Sequence, residues 1–389
     1  MKNPRLIGTA IFLSLACSVL CGPLARAETT APVALTVTAV GDMMIGGEVS
    51  GYPSDAGAIF SDVSSTLQLG DVVFGNLEGV LLDSGGQRKA PNGGRTFYFR
   101  MKEAYADVFR KAGFNMLSVA NNHTDDFGAD GRRSTVDNLK RVDRQYSDNG
   151  NVGLKFSGHD NLPFDSPFAI LNRNNPADHW HRPTVALIAF GFGDSEGRIS
   201  NPPPPNMNKI TDIPKAKELV SALKAAVGRE GIVIVSFHGG AEGPEHEHIT
   251  RAMETDDGGE YRGDVYKFAH AVIDAGADLI LGSSPHVPRA MEIYNKRLIA
   301  YSLGNFANYR GMNLTGDLGL APVLEAKLAA DGSFLGGKIH SFRQVVTRTS
   351  GPRADATNEA AAKIRSLTAA DFPGNALQID ADGALSIRQ

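Results

Sequence analysis

The stretch Gly-Ala-Asp-Leu-Ile-Leu-Gly-Ser-Ser-Pro-His-Val-Pro-Arg occupies residues 276–289. Its short apolar run, 279–281, is bounded by glycines, which is typical of a strand covered on both faces of a sheet. The turn that follows is stiffened by two prolines and carries His286. A histidine just past the end of a buried strand lies where open α/β folds bind their ligands.

Apolar runs of strand length alternate with helical patterns along the rest of the chain, and this alternation predicts an α/β fold with a central sheet. Strands are predicted over residues 33–40, 71–74, 115–119, 151–155, 184–190, 232–235, 323–329 and 337–342, with a hairpin over 291–301. Helices are predicted over residues 55–69, 103–112, 130–146, 214–227, 261–275 and 358–367.

The composition is that of a globular protein without an obvious basic surface. Of 389 residues, 42% are hydrophobic and 21% are charged, which is within the range of folded domains. The formal net charge of −4 argues against a nucleic-acid partner, because such a partner requires a basic face.

The N-terminus has the pattern of a signal peptide over residues 1–27. Lys2 and Arg5 precede an almost wholly apolar run from Leu6 to Gly22, and Ala25-Arg26-Ala27 fits a small-x-small cleavage site. We therefore expect an exported protein, periplasmic or associated with the cell envelope. An uncleaved membrane anchor is the alternative, which the shortness of the apolar run disfavours.

Both cysteines, Cys17 and Cys21, lie inside this segment, so the mature chain is expected to contain none. Disulfides, thiolate metal ligands and cysteine nucleophiles are then excluded together. A lipoprotein site at either cysteine is disfavoured, because the residues before each of them do not fit one.

Polar side chains follow six of the predicted strands. They are Asp42, Asn76 with Glu78, Asn121 to His123, His238, His286, and Ser302 with Asn305. Alone, each group has a plain explanation as a turn, a cap or a structural histidine. In a mostly parallel sheet, however, the strand ends converge on one edge. Oxygen and nitrogen donors without thiolates suit Zn, Mn or Fe, and two bridged metals could activate water for attack on phosphorus or carbonyl.

Five motifs, in order between about residue 36 and residue 310, resemble the CapA family of poly-gamma-glutamate capsule biosynthesis proteins. This family is similar to the calcineurin-like metallophosphoesterases. The motifs are Gly41 to Met44, Asn76 to Glu78, Ala120 to His123 with Asp125 and Gly128, His238 to Gly240 with Glu242, and Tyr301 to Phe306. The resemblance implies a metallophosphoesterase-like four-layer α/β sandwich over residues 34–325. A small C-terminal extension, β-rich or irregular, is then expected over 326–389.

The resemblance also implies roles for individual residues. It places metal ligands at Asp42, Glu78, Asn122, His238 and His286. Glu78 would be the bridging carboxylate, Asp42 would be catalytic as well as a ligand, and His123 would protonate a leaving group. The implied cofactor is a divalent metal, Mn, Fe or Zn, as one or two ions.

The sequence departs from the phosphoesterase pattern at two places. Met44 stands where those enzymes have a histidine, and the serines at 283 and 284 precede His286 where they have two histidines in one turn. One metal position is therefore expected to be weak. His246 and His248 could supply nitrogens instead, although a solvated charged loop explains them slightly better.

The candidate substrate-binding residues are Arg262, Arg289, Asn305, His246 and His248. The two arginines could bind a phosphate or a carboxylate, although arginines without such a role are commoner. Residues 193–197 match Gly-x-Ser-x-Gly, but a nucleophile elbow requires a helix directly after the serine, and here the chain runs into four prolines.

Two functional hypotheses follow. In the first, an exported CapA-like protein of surface-polymer biosynthesis, by resemblance poly-gamma-glutamate, hydrolyses a phosphoester or an amide with a metal. In the second, the same fold is a non-catalytic binding or scaffold subunit of a surface-polymer synthesis and export machine. The expected partners are the polymer or its precursor and membrane-bound polymer synthesis proteins.

Overall fold

The structure is a computed structural model that describes residues 32–48, 50–89, 97–147, 153–158, 168–171, 183–192, 207–256, 259–344 and 351–388. The predicted signal peptide, the Gly-x-Ser-x-Gly match and the four prolines lie outside these residues.

The described ranges contain twenty-one strands. They are β1 (Leu35–Met44), β2 (Val72–Leu77), β3 (Val80–Leu81), β4 (Arg100–Met101), β5 (Met116–Ser118), β6 (Lys155–Ser157), β7 (Phe168–Leu171), β8 (Val185–Gly191), β9 (Ile232–His238), β10 (Glu254–Thr255), β11 (Tyr261–Gly263), β12 (Leu279–Ser283), β13 (Met291–Tyr294), β14 (Arg297–Ala300), β15 (Asn305–Asn308), β16 (Val323–Leu328), β17 (Phe334–His340), β18 (Phe342–Gln344), β19 (Pro352–Ala354), β20 (Leu377–Ile379) and β21 (Ala384–Ile387).

Six α-helices lie in the same ranges. They are α1 (Ser64–Leu67), α2 (Tyr105–Ala112), α3 (Gly128–Ser147), α4 (Ile213–Val227), α5 (Val265–Asp274) and α6 (Glu359–Asp371). Short 3-10 turns occupy Gly57–Phe60, Pro244–His246 and Gly316–Gly319. None of the described helices combines the length and the apolar content needed to cross a bilayer.

Two sheets form the centre of the fold. In the described residues the first has nine strands in the order β20-β21-β17-β16-β1-β2-β5-β6, with β15 also pairing with β1. The second has the order β13-β14-β12-β9-β8-β7. The inner strands β1, β2, β5 and β6 run parallel to one another, as do β14, β12, β9 and β8. Their carboxyl ends therefore meet as the sequence predicts.

The two sheets pack face to face, and helices cover both outer faces. Alternate residues of β1 and β9, such as Val37 and Ile234, are buried in the core between the sheets. The opposite face of the first sheet packs on α1, α2 and α3. The opposite face of the second sheet packs on α4 and α5. This order of layers is a four-layer α/β sandwich, so the predicted fold class is confirmed.

The segment after residue 325 is part of this architecture. Strand β17 pairs with β16, and β21 and β20 extend the same sheet beyond it. Helix α6 lies against β13, where the Thr368 hydroxyl accepts the backbone N–H of Met291 at 3.0 Å. The residues predicted as an extension thus continue the first sheet and support the second.

Two predicted helices are wrong in part. Residues 55–69 form a 3-10 turn and the short α1, and the Ser61 hydroxyl between them bonds back to the Ala58 carbonyl in competition with a continuous helix. Residues 261–263 form strand β11, which pairs with β10. Helix α5 begins only after Asp264, whose side chain accepts the N–H of Lys267.

Candidate metal centre

Strand β1 delivers Asp42 to the edge where the strands end. Its side chain is fully buried, and its Oδ1 atom accepts a hydrogen bond from Asn76 on β2 at 2.8 Å. Gly41 allows the close approach behind it, because a Cβ there would lie 1.9 Å from the carbonyl oxygen of Gly304. Asp42 also lies opposite Asn305 in the parallel pairing with β15. Gly41 with Asp42 and Gly304 with Asn305, which belong to two of the sequence motifs, therefore meet at one contact.

Glu78 is the unusual carboxylate of the site. It is fully buried, and neither carboxylate oxygen has a hydrogen-bond partner among the residues that the structure describes. Three imidazole nitrogens surround its Oε1 atom: Nε2 of His286 at 3.7 Å, of His238 at 3.9 Å and of His123 at 4.0 Å. Burial, followed by the charge of Asp42, raises the pKa of Glu78 well above its ordinary value. An ionised carboxylate in this position requires a cation.

His238, the last residue of β9, links both sheets. Its Nδ1 atom lies 3.2 Å from the Asn76 amide nitrogen and 3.1 Å from the Ser283 hydroxyl. Its Nε2 atom lies 3.0 Å from the Asn122 amide oxygen. Burial lowers the pKa of His238 to about 3, although the charge of Asp42 acts in the opposite direction. The imidazole is therefore neutral, which is the form that binds metals.

His286 follows β12 in the left-handed backbone region, with φ of 60°. Its Nδ1 atom lies 3.0 Å from the side-chain oxygen of Asn305 and 3.3 Å from Oδ2 of Asp42. Burial lowers its pKa, but the carboxylates of Glu78, Glu242 and Asp42 outweigh burial and raise the pKa to about 10. Without a metal this histidine supplies the positive charge of the cluster.

His123 is oriented by residues on two other segments. Its Nδ1 atom lies 2.8 Å from Oδ2 of Asp126, and its ring stacks on Phe99 at a centroid distance of 4.0 Å. Asp126 also accepts the backbone N–H of Phe99 at 2.5 Å and forms an ion pair with Lys89. The Nε2 atom of His123 is thereby left facing Glu78.

The donor set fits a divalent metal. Asp42, Glu78 and His238 each offer one ligand atom, and these atoms lie within 4.8 Å of one another. The buried Glu78 carboxylate without a hydrogen-bond partner is the observation that supports the fit. His286 and Asn122, the other predicted ligands, lie directly beside this group. Carboxylate, imidazole and amide donors suit Mn, Fe or Zn, as predicted.

The predicted substrate-binding residues lie in different places. Asn305 is in the centre, against His286. Arg289 is fully buried in a pair with Glu254, and Arg262 is buried among three carboxylates. His248 pairs with Asp371 on the exposed surface. His246 lies in the same loop as His248, in a 3-10 turn. That the arginines and these histidines bind substrate stays a prediction.

Sequence reasoning did not single out Asp126, Phe99 or Lys89. Asp126 has a local signal, since it follows His123 by three residues and both belong to one turn. Lys89 and Phe99 lie on either side of a polar stretch of the sequence, and nothing near them indicates that Phe99 stacks on His123 or that Lys89 pairs with Asp126.

A sequence model for the family described as "Bacterial capsule synthesis protein PGA_cap" matches residues 36–310. This chain belongs to the PGA_cap family. The resemblance inferred from the five motifs is thereby confirmed.

The chain is also similar to individual relatives and to a solved structure. The capsule biosynthesis protein CapA of Bacillus anthracis is 29% identical over 336 residues, which cover 82% of this chain and 72% of that protein. The PGA biosynthesis protein CapA of Bacillus subtilis (strain 168) is 25% identical over 298 residues, covering 76% and 69%. The calcineurin-like phosphoesterase YfkN from Bacillus subtilis is structurally similar, with 14% identity, a TM-score of 0.44 and coverage of 86% and 98%.

Proposed function

We propose that this PGA_cap protein is a metal-dependent hydrolase that cleaves a phosphoester or an amide in the biosynthesis of a surface polymer. The observation that carries the proposal is the buried Glu78 carboxylate, which has three imidazole nitrogens around it and no hydrogen-bond partner. A purely structural carboxylate in this position would be expected to accept hydrogen bonds from its neighbours. The polymer is proposed from the names of the two CapA relatives.

Each residue of the centre has a task in this proposal. Asp42, Glu78 and His238 would hold the metal, with His286 and Asn122 beside them. A bound divalent metal would supply Lewis-acid polarisation of the phosphoryl or carbonyl oxygen. His123 holds a proton on Nδ1 toward Asp126, so its Nε2 atom is the one available to exchange a proton with a leaving group.

Metal analysis of the purified protein tests the metal part of the proposal. We expect stoichiometric Mn, Fe or Zn in the wild type and loss of that metal in an Asp42→Ala/His238→Ala variant, because both ligands come from the buried group. His248→Ala, an exposed histidine on a neighbouring loop, is the matched control and should retain the metal. A wild type that binds no metal and gains no stability from added Mn or Zn would rule out the hydrolase.

A second prediction concerns His123. Asp126→Asn is expected to lower kcat about 10- to 100-fold with little change in metal content, because the amide no longer fixes the proton of His123 on Nδ1. The measurement is kcat and metal stoichiometry on the same samples, with Asp130→Asn as the exposed control. Equal kcat values in Asp126→Asn and wild type would show that His123 needs no positioning.

The two serines before His286 favour a second candidate, a binding or scaffold subunit without turnover. Ser283 and Ser284 precede His286 where phosphoesterases have two histidines in one turn, and the Ser283 hydroxyl lies 3.1 Å from Nδ1 of His238. A serine there offers a hydrogen bond instead of a nitrogen ligand. Metal binding without turnover of any phosphoester or glutamyl amide would select this candidate.

We further propose that the protein is exported and works in the periplasm or at the cell envelope, beside membrane-bound polymer synthesis proteins. The basic and apolar pattern of residues 1–27 supports export. Immunodetection of the tagged full chain in fractionated cells tests this proposal. A full-length protein found with the cytoplasmic marker would contradict it.

A further inference from the structure

Arg262 is surrounded by carboxylates beside the metal centre. Its guanidinium contacts Oε1 of Glu242 at 2.6 Å, Oδ2 of Asp256 at 2.8 Å and Oε2 of Glu260 at 3.1 Å. One positive and three negative groups leave a net charge of −2 (1 − 3). The guanidinium also lies over the ring of Phe192 at 4.1 Å. The two terminal nitrogens of the guanidinium are thus already engaged, and this side of the site is acidic.

The backbone brings Glu242 to the metal centre. The N–H of Gly239 donates to the Ser283 carbonyl at 2.9 Å, and the N–H of Gly243 donates to the Pro285 carbonyl at 3.0 Å. The loop that contains Glu242 therefore runs along the turn that carries His286. The Nη1 atom of Arg262 contacts both Oε1 of Glu242, at 2.6 Å, and the hydroxyl of Ser284 in that turn, at 3.5 Å.

Glu242, and not Arg262, is the group that an incoming ligand meets. The Glu242 side chain is 36% exposed, whereas that of Arg262 is 5% exposed. Arg262 holds one carboxylate oxygen of Glu242, and its own position is fixed by Phe192, whose ring stacks on His238. The carboxylate is therefore presented at a defined place next to His238 and His286.

Acidic groups alone would not indicate a ligand. The fully buried carboxylate of Glu78, which has no hydrogen-bond partner, is an independent sign that this centre binds one. Lys89 donates to the carbonyl of Asn122 at 3.0 Å and pairs with Asp126, beside His123. The site thus has an acidic wall at Glu242 and a basic residue near His123.

We propose that Glu242 is a specificity-determining residue that binds a protonated amino group of the substrate, next to the bond that is cleaved. This inference rests on the proposed function and names its substrate class as an amine-bearing amide or phosphoester. In a polymer of γ-linked glutamate only the amino-terminal unit carries such a free amine, because every other amino group is part of an amide. The site would accordingly act on chain ends and not on interior bonds.

The test compares two ligands that differ only in the amino group. We expect the Mn-loaded protein to bind γ-glutamyl-p-nitroanilide at least about tenfold more tightly than glutaryl-p-nitroanilide, because an ion pair to a fixed carboxylate is lost in the latter. In Glu242→Gln this ratio should fall to about twofold or less, with unchanged Mn content. Glu245→Gln removes an exposed charge from the same loop and should keep the wild-type ratio.

The outcomes separate this inference from the proposed function, because binding is measured by calorimetry and does not require cleavage. A Mn-loaded protein that prefers the amine ligand through Glu242 but cleaves neither ligand would refute hydrolysis and leave the inference standing. Equal affinity for both ligands, an unchanged ratio in Glu242→Gln, or no binding of either ligand would overturn the inference, whatever the activity.

Discussion

Replacing Glu78 with glutamine is expected to stabilise the metal-free protein and to abolish its metal binding. The carboxylate is buried without a hydrogen-bond partner, and leaving such a group unpaired costs about 1–3 kcal/mol. The amide is equally without a partner but carries no charge to desolvate, so the free energy of unfolding of the chelator-treated protein should rise at pH 8. Loss of a residue that only hydrogen-bonds to a metal ligand lowers metal affinity about 10- to 100-fold. Loss of the ligand Glu78 itself should lower it by more.

The pH dependence gives this prediction its sign. Burial and the charge of Asp42 raise the pKa of Glu78 in the folded protein. At low pH the carboxyl is protonated in both the folded and the unfolded protein and costs no stability. As the pH rises above the ordinary value of 4.5 it ionises first in the unfolded protein, and the folded state loses stability. The advantage of Glu78→Gln should therefore grow above pH 4.5 and vanish below it. Urea unfolding at several pH values, with and without Mn, measures both effects. A variant less stable than wild type at pH 8 without metal would contradict the argument.

Replacing Arg289 with alanine is expected to destabilise the protein by about 3–5 kcal/mol, because it leaves the charge of Glu254 buried and unpaired. The pair is bidentate, with Nη1 and Nη2 of Arg289 at 3.1 and 2.9 Å from the two oxygens of Glu254. Nη2 also donates to the carbonyl of Ala241, in the loop that carries Glu242. Urea unfolding is the measurement.

A surface pair provides the matched control. Arg141 contacts Asp107 at 2.7 Å, but its side chain is 43% exposed, so Arg141→Ala should cost no more than about 1 kcal/mol. The double variant Arg289→Met/Glu254→Met should recover most of the lost stability, because it removes both buried charges. If Arg289 instead binds substrate, Arg289→Ala would raise KM and leave the unfolding curve nearly unchanged.

Most of the fold was predictable because its signals are local. Buried parallel strands appear as short apolar runs bounded by glycine, and β9 and β12 were predicted within a few residues. The predicted helix over 55–69 was wrong in part, because the Ser61 hydroxyl bonds to a nearby backbone carbonyl there, although the apolar residues are buried as the spacing indicates.

The sequence by itself determined which polar residues stand at the strand ends. Asp42, Glu78, His238 and His286 could be named because the carboxyl ends of parallel strands share one edge. Each of these residues follows a strand that a few consecutive apolar residues define, and such a local pattern can be recognised in the sequence.

Only the tertiary structure decided what these residues and their neighbours contact. Nothing in the sequence around Arg262 or Arg289 shows what either side chain contacts. Both are buried against carboxylates, and Arg289 pairs with Glu254, which is 35 residues away along the chain. The same holds for Glu78, whose isolation from hydrogen bonds is a property of the packed centre. The strength of a charge pair depends on how far its groups are removed from water and on the distance between the segments that carry them. Both are fixed only when the two sheets pack together.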